Sequence, residues 1–216
     1  MSIVIDGNIG SGKTTQLELL RKAGWSVKCE PIHEWPLELF YADMSRWAFL
    51  LQIRILQTIR RESGVHVYER GLLGTRHVFW EYLRAKGLVT EQEHVTYESA
   101  YEKYGWLPDV YIYLSKTPEL AYEHIQKRSQ VGDTKVTLAY LKELDSLYQR
   151  MIKNVPCKVN VINANRAPED IHAEIISILK ENGMYERHLG REKVQKARSH
   201  RRQVLCTPYP DMCSLS

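Results

Sequence analysis

The sequence predicts an α/β fold in which helices cover both faces of a five-stranded parallel sheet. Three observations lead to this prediction. Five short β-rich runs alternate with longer segments of helical periodicity, which is the order expected of strand–helix–strand units. The runs are almost continuously apolar, as in strands that are buried on both faces. The length of 216 residues, with 44% hydrophobic and 26% charged residues, suits one soluble globular domain.

The β-rich runs give the order of the strands along the chain. The first run is apolar and ends at Gly7, and the fourth is apolar over nearly its whole length. The predicted strands are Ser2–Asp6, Trp25–Cys29, Val65–Tyr68, Val110–Leu114 and Lys158–Ile162.

The longer segments carry apolar residues at helical spacing together with signals for helix ends. Arg60 and Arg61 suit the negative end of a helix dipole. Thr90 and Glu93 have the spacing of a capping box, and Asn182–Gly183 suits a helix end. The predicted helices are Thr14–Lys22, Trp47–Arg61, Gly71–Lys86, Thr90–Lys103, Thr117–Arg128, Val136–Ile152 and Pro168–Glu181.

The net charge of +4 is concentrated near the C-terminus. Residues 187–216 contain seven Lys and Arg against two acidic residues, a balance of +5, so residues 1–186 sum to −1. The charge and the fading periodicity predict a folded domain over 1–186 and a basic, mobile tail over 187–216.

The composition also bears on the compartment. No uncharged apolar run approaches the ~20 residues of a membrane span, and the N-terminus lacks the pattern of a secretory signal. The four cysteines have no paired or metal-ligand spacing, which favours a reducing compartment. We expect a cytoplasmic protein without membrane contact, with nuclear or mitochondrial placement left open.

The strongest motif lies directly after the first strand and opens the first helix. Its residues, Gly7, Asn8, Ile9, Gly10, Ser11, Gly12, Lys13 and Thr14, fit G-x-x-x-x-G-K-[ST], and Thr15 follows. The glycines let the backbone turn and expose N–H groups, which bind phosphate oxygens together with the positive end of the helix. In such a loop Lys13 reaches the β- and γ-phosphates, and the Thr14 hydroxyl holds Mg²⁺. The motif predicts that the protein binds a nucleoside triphosphate.

Charged residues follow the second and third predicted strands. The carboxyl ends of parallel strands border the ligand crevice of an α/β sheet, so Glu30 can take a proton from an acceptor hydroxyl during phosphoryl transfer. Arg70 can brace Glu30 or stabilise phosphate charge, and Glu69 can help to hold Mg²⁺ directly or through water. For Glu69 and Arg70 a structural salt bridge is an equal alternative.

Six motifs in the same order and spacing resemble the deoxyribonucleoside kinases, a family that includes deoxycytidine, deoxyguanosine, mitochondrial thymidine and insect broad-specificity enzymes. They are the loop Gly7–Thr15, Glu30-Pro-x-x-x-Trp35, Leu37-Glu-Leu-Phe-Tyr41, Trp47-Ala-x-x-x-Gln52, Glu69-Arg70, and Tyr122-Glu followed by Arg128. The resemblance covers most of the body of the chain. It implies a P-loop kinase fold that transfers the γ-phosphoryl group of MgATP to the 5′-hydroxyl of a deoxynucleoside. It also implies a homodimer, with contact between helices Trp47–Arg61 and Gly71–Lys86.

The resemblance further implies roles in catalysis. Glu30 would be the base at the 5′-hydroxyl, and Arg70 would hold that hydroxyl and Glu30 in place. The segment 128–133, which begins with Arg128, corresponds to an arginine-bearing lid over the triphosphate. Arginines are common in this lid, whereas the chain has His124 and Gln130 at two such positions. We expect a looser or slower lid, or a substitute charge from Lys127.

The resemblance also implies how a nucleoside binds. Trp35 would line the pocket near the sugar and base, while Tyr41 and Asp133 would bind the 3′-hydroxyl. Gln52 would pair with the Watson–Crick edge of the base, for which an amide carries both donor and acceptor. Phe79 would stack on the face of the base.

Three further positions bear on the choice of base. These positions, Ile55, Ile59 and Thr75, line the base pocket in the resemblance. Deoxycytidine-type members have an arginine and an aspartate at the positions of Ile59 and Thr75. The uncharged residues leave apolar room for the 5-methyl group of thymine. We therefore expect thymidine as the main substrate, with other pyrimidine deoxynucleosides as secondary substrates.

Two alternatives remain at this point. A thymidylate kinase shares the phosphate loop and a Glu-Pro pair, but it normally has an arginine before that pair, where this chain has Cys29. A nucleic-acid-binding protein that uses ATP as a switch would rely on the basic residues 187–202. Aromatic interleaving and a recognition fold do not accompany this segment, so nucleic-acid contact is possible but not favoured.

Overall fold

The computed structural model describes residues 1–128, 135–186 and 188. Its sheet is parallel and has the strand order β2-β3-β1-β4-β5. In the central pairs, Ile5 of β1 lies opposite Glu69 of β3 and Ile112 of β4. The strands are β1 Ser2–Gly7, β2 Val27–Lys28, β3 His66–Glu69, β4 Val110–Ser115 and β5 Val159–Asn163. The predicted five-stranded parallel sheet is confirmed.

The helices alternate with these strands along the chain. A π-helical segment, Thr75–Trp80, continues α4 into α5, and a 3₁₀ turn, Ile32–Glu34, follows β2. The α-helices are α1 Lys13–Lys22, α2 Leu37–Ala42, α3 Met44–Thr58, α4 Leu72–Gly74, α5 Glu81–Ala85, α6 Glu91–Tyr104, α7 Pro118–Arg128, α8 Leu138–Asn154 and α9 Pro168–Glu181. The capping box of Thr90 and Glu93 and the bounds of α9 are as the sequence predicted.

The bounds of α3 differ from those predicted. This helix begins three residues before the predicted start, because the Asp43 side chain accepts a hydrogen bond from the Arg46 N–H and caps its first turn. It ends at Thr58, so Arg60 and Arg61 do not form its last turn. Arg61 instead pairs with Asp109 at 2.7 Å. The prediction of a cationic helix end was therefore wrong.

Apolar side chains pack on both faces of the sheet. One face packs against α1 and α9 through residues such as Leu17 and Ile175. The other face packs against α8 and the π-helical segment through Val4, Tyr148 and Val78. A third cluster packs α2, α3, α5 and α6 against one another, together with Leu72 and Trp80. The predicted covering of both faces is confirmed, and the third cluster forms one wall of the cleft described below.

The end of the described chain differs from the predicted domain boundary. His188 lies in the predicted tail, but it is buried and its ring stacks on Trp25 with 4.2 Å between centroids. The folded body therefore extends at least to His188. Arg187 and residues 189–216 lie outside the described residues, and the mobility of the tail stays a prediction. Within the described part of the chain, no helix has the length and apolarity required to cross a membrane.

Candidate active site

A large cleft opens at the carboxyl ends of β1, β2 and β3. Its volume is about 1530 Å³. A pocket for one small ligand usually has ~300–1,000 Å³, so this cleft can hold two ligands side by side. The phosphate loop and the end of α7 form one side. The segment 32–42, α3 and the π-helical segment also line the cleft, as do Glu30, Glu69 and Arg70.

The phosphate loop presents its backbone to the cleft. The lining residues include Ile9, Gly10, Ser11, Gly12, Lys13, Thr14 and Thr15, but not Gly7 and Asn8. The Asn8 amide donates to the carbonyl of Leu141 at 2.9 Å, which fastens the loop to α8. Gly10 has a φ of +78°, and a Cβ there would lie 2.5 Å from the carbonyl oxygen of Ala121. Only glycine fits this position.

Lys13 lies at the base of the loop. Its ammonium donates to the carbonyl oxygens of Gly7 and Asn8, both at 3.0 Å. The residue is 7% exposed. Burial, with the Arg70 charge nearby, lowers the pKa of Lys13 to about 8. Because a bound phosphate would favour the charged ammonium, this lysine is suited to an anionic ligand.

Glu30 and Arg70 form a nearly buried ion pair in the middle of the cleft. Arg70 Nε donates to Glu30 Oε1 at 2.7 Å, and the two side chains are 9% and 14% exposed, respectively. Burial raises the pKa of the Glu30 carboxyl, while the Arg70 charge opposes that rise. Arg70 also has a φ of 53°, which is rare for a residue other than glycine. Such local strain is typical of functional sites.

A second pair of oxygens lies beside this ion pair. The Thr14 hydroxyl donates to Glu69 Oε1 at 3.0 Å, and Glu69 Oε2 accepts a hydrogen bond of 3.4 Å from the Glu30 N–H. Mg²⁺ prefers oxygen ligands and commonly takes only one or two protein groups beside phosphates and water. Thr14 and Glu69 fit such a site.

The other side of the cleft combines aromatic residues with one buried amide. Gln52 is 3% exposed, and its Oε1 has no hydrogen-bond partner among the described residues. An unpaired buried amide is costly, which favours a ligand that pairs with it. The Arg70 guanidinium lies 4.5 Å from the ring centroid of Phe79. Also lining this side are Trp35, Tyr41, Ile55 and Thr75.

The comparisons with known proteins agree with this geometry. Residues 3–183 match the family model described as deoxynucleoside kinase. The chain belongs to the deoxynucleoside kinase family. The kinase is 30% identical to kinase protein 029R of Invertebrate iridescent virus 3, over 82% of this chain and 95% of that protein. It is also 30% identical to human mitochondrial thymidine kinase 2, over 69% of this chain but only 63% of that enzyme.

A solved structure provides the corresponding match in three dimensions. The deoxyadenosine kinase of M. mycoides with bound dCTP matches the kinase with a TM-score of 0.74 and 26% sequence identity. The match covers 84% of this chain and all of that one, at 100%. The α/β P-loop kinase fold is thereby established. The sequence had left two alternatives, a thymidylate kinase and a nucleic-acid-binding protein that uses ATP as a switch. Neither is the family that the chain matches.

One predicted nucleoside-binding residue, Ile59, lies outside the cleft, and another, Asp133, lies outside the described residues. Ile59 does not line the cleft, because α3 ends before it and its side chain, 6% exposed, packs in the third cluster. Its carbonyl accepts a hydrogen bond of 3.2 Å from Trp106 Nε1. The prediction that Ile59 lines the base pocket was wrong. The predicted lid, 128–133, lies outside the described residues from 129 onward, Asp133 included, while His124, Lys127 and Arg128 do line the cleft.

Two residues behind the ion pair were missed in the sequence. Asp6 is fully buried at the end of β1, and Tyr148 of α8 is fully buried beside it. The Tyr148 hydroxyl donates to Asp6 Oδ1 at 2.9 Å and accepts a hydrogen bond of 2.6 Å from Arg70 Nη1. Asp6 carried a signal, since a carboxylate ends an otherwise apolar strand. Tyr148 carried none, because it lies 142 residues from Asp6 in the sequence.

Proposed function

We propose that this deoxynucleoside kinase transfers the γ-phosphoryl group of MgATP to the 5′-hydroxyl of a pyrimidine deoxynucleoside, with thymidine preferred. One observation carries the proposal. The Glu30 carboxylate lines the same cleft as the phosphate loop and Gln52, and Arg70 Nε pairs with it at 2.7 Å. A general base at this position lies between the bound triphosphate and the bound nucleoside.

The phosphate side of the reaction is assigned to the loop and its neighbours. Backbone N–H groups of 9–15 and the Lys13 ammonium bind the triphosphate oxygens. Thr14 and Glu69 hold Mg²⁺, which when bound neutralises charge on the phosphates. Lys127 and Arg128 line the cleft at the end of α7, where they stabilise charge on the transferred group.

Glu30 acts on the acceptor hydroxyl. Burial raises the pKa of its carboxyl, so Glu30 is a better proton acceptor than an exposed glutamate. The Arg70 guanidinium keeps the carboxylate ionised before the reaction and holds its Oε1. Glu30 takes the proton of the 5′-hydroxyl as that oxygen attacks the γ-phosphorus, and ADP leaves on the opposite side.

The nucleoside is held by groups on the far side of the cleft. Gln52 uses its buried amide on the Watson–Crick edge of the base, and Phe79 packs on the face of the base. Tyr41 binds the 3′-hydroxyl, with Asp133 as its proposed partner in that contact. Trp35 lies near the sugar and base, held by a hydrogen bond of 2.9 Å from its Nε1 to the Thr58 hydroxyl.

Thymidine is preferred because the base pocket lacks charge. Ile55 and Thr75 line the cleft, and the Thr75 hydroxyl already donates to the carbonyl of Gly71 at 3.3 Å. Neither residue offers an ionic partner to an amino group on the base. Discrimination by such a pocket amounts to ~1–3 kcal/mol, so other pyrimidine deoxynucleosides serve as weaker substrates.

A panel of acceptors tests this proposal. ADP release with MgATP is measured against thymidine, deoxycytidine, deoxyuridine, deoxyadenosine, deoxyguanosine and thymidine monophosphate. We expect the largest kcat/KM with thymidine and lower values with the other pyrimidines. A preference for deoxyadenosine or deoxyguanosine would overturn the base assignment, and turnover only with the monophosphate would overturn the choice of acceptor.

Gln52→Leu is expected to weaken the deoxynucleoside complex specifically. The substitution removes the amide but keeps an apolar side chain of similar size, so kcat/KM for thymidine should fall by about 10- to 100-fold, as expected when a site loses hydrogen bonds to its ligand. The KM for MgATP should stay unchanged. Gln57→Leu, at an exposed position of the same helix, is the control. Equal kinetics for the two variants would exclude Gln52 from base binding.

The affinity for MgATP should fall as pH rises above 8. Lys13 has a pKa of about 8 in the free protein, so it loses its proton in this range, and the phosphates then lose a cationic partner. We expect the Kd to rise by up to about tenfold per pH unit above 8, with proton uptake on binding. Isothermal titration calorimetry at several pH values and in two buffers measures both quantities. In Lys13→Met the pH dependence should disappear, and its persistence would contradict this assignment.

The assembly and the tail are also proposals. We propose a homodimer in which α3, where Leu50 is 50% exposed, contacts the helical segment 72–85 of a second copy. Sedimentation equilibrium decides between this dimer and a monomer of 25.2 kDa. The tail is proposed as an accessory segment, and deletion of 189–216 should leave the nucleoside kinase activity intact.

A further inference from the structure

Asp6 forms a buried anchor beneath the active site. Its Oδ1 accepts hydrogen bonds from the Gly7 N–H at 2.7 Å and from the Tyr148 hydroxyl at 2.9 Å. Its Oδ2 accepts a hydrogen bond of 2.6 Å from the Tyr111 hydroxyl. Gly74 packs so closely that a Cβ there would lie 2.2 Å from Oδ2. The carboxylate is therefore fixed by its donors and by its surroundings.

Tyr148 connects this anchor to Arg70. A phenolic hydroxyl has one proton, and donation of that proton to Asp6 leaves the oxygen free to accept from Arg70. Arg70 Nη1 lies 2.6 Å from that oxygen but 3.6 Å from Asp6 Oδ1. The Tyr148 hydroxyl thus keeps the Arg70 guanidinium from pairing directly with Asp6. Because the guanidinium is planar and rigid, fixing Nη1 also fixes the direction of Nε.

We propose that Tyr148 is a positioning residue that, anchored on Asp6, fixes the Arg70 guanidinium so that its Nε faces Glu30. The inference rests on the proposed role of Glu30 as the base. Tyr148 acts through Arg70 and does not touch the substrate. Without the hydroxyl, Arg70 is free to turn towards Asp6 and away from Glu30. The orientation of Glu30, the proposed general base, therefore depends on a hydroxyl from the distant helix α8.

Two buried tyrosines make a matched pair for the test. Tyr148 and Tyr111 are both almost fully buried and both donate to Asp6, but only Tyr148 contacts Arg70. Tyr148→Phe and Tyr111→Phe each keep the ring, so packing is preserved and each variant removes one hydrogen bond to Asp6. We expect kcat to fall by about tenfold or more in Tyr148→Phe, the range for a hydrogen bond to a charged group, and to change little in Tyr111→Phe. The KM for thymidine should stay near the wild-type value in both.

The deciding readout is the side-chain Nε–H signal of Arg70 in a proton–nitrogen NMR spectrum, assigned with Arg70→Lys. In the wild type this N–H donates to Glu30 Oε1 at 2.7 Å, so it has a fixed environment. Loss of the fixed position of Arg70 in Tyr148→Phe should shift this signal and speed its exchange with water, whereas Tyr111→Phe should leave it unchanged. Equal signals in the two variants would overturn the proposal. The spectrum requires no turnover, so it judges this inference even if the wild-type protein phosphorylates no deoxynucleoside, which would be the separate failure of the proposed function.

Discussion

Glu30→Gln is expected to lower kcat for thymidine phosphorylation by about 100- to 10,000-fold, the contribution typical of a positioned general base. Glutamine keeps the size of the side chain and an oxygen that can accept from Arg70 Nε, which lies 2.7 Å from Glu30 Oε1. The amide cannot take the proton of the acceptor hydroxyl. The affinity for thymidine and for MgATP should therefore change only a few-fold, so the loss is in kcat.

Glu34→Gln is the matched control for this substitution. Glu34 lies four residues further on, pairs with Arg54 at 2.8 Å and is 40% exposed. Rapid quench with radiolabelled ATP measures the chemical step of both variants, and equilibrium dialysis measures binding of thymidine. A chemical step in Glu30→Gln as fast as in Glu34→Gln would mean that another group, or the solvent, takes the proton.

Arg70→Met should have the largest effect on stability. Arg70 pairs with Glu30 at 2.7 Å, donates to Tyr148 at 2.6 Å and lies 3.6 Å from Asp6. Removal of the cation from a buried pair leaves carboxylates without compensation, which typically costs ~3–5 kcal/mol of unfolding free energy. Nucleoside phosphorylation should also be lost, because Glu30 no longer has a fixed orientation. Urea unfolding gives the free energy directly.

The destabilisation of Arg70→Met should depend on pH. Burial raises the pKa of Glu30, and without Arg70 to oppose this effect the pKa in the folded state should lie further above its unfolded value. The protonated form of Glu30 is then favoured in the folded state, so the variant loses stability as pH rises through the folded pKa. The difference in unfolding free energy between Arg70→Met and the wild type should be smaller at pH 5 than at pH 8.

A surface pair provides the control for Arg70→Met. Arg54 and Glu34 form an ion pair with side chains that are 43% and 40% exposed. Exposed pairs of this kind contribute ~0–1 kcal/mol, so Arg54→Met should cost little and show no comparable pH dependence. Equal losses in the two variants would contradict the view that burial makes the Arg70 ion pair important for stability.

Local patterns in the sequence predicted much of the cleft. The phosphate loop has a spacing set by its own backbone, so Lys13 and Thr14 could be placed without knowledge of the rest of the fold. Gln52 stood out as an amide among apolar residues of a helix, and it is buried, with no partner for its Oε1 in the part of the chain that the structure describes. Glu30 and Arg70 follow different strands, and the parallel sheet brings their side chains together.

Contacts made by distant or irregular segments were not predictable in this way. Ile59 had the helical spacing of a pocket residue, but the helix ends at Thr58 and the last turn no longer presents it to the cleft. Helical periodicity also does not distinguish the π-helical segment Thr75–Trp80 from an α-helix. The six-residue helix α2 was not among the predicted helices, because it is too short to show a helical period. Tyr148 reaches Asp6 only through packing of α8 on the sheet.

The most direct test of the central claim is to identify the acceptor and the product. Wild-type protein is incubated with MgATP labelled at the γ-phosphate and with thymidine, and the products are separated by chromatography. The account predicts labelled thymidine 5′-monophosphate in an amount equal to the ADP formed. Label on the 3′-hydroxyl, label released as inorganic phosphate, or transfer only to thymidine monophosphate would contradict the placement of Glu30 as the base for a nucleoside 5′-hydroxyl.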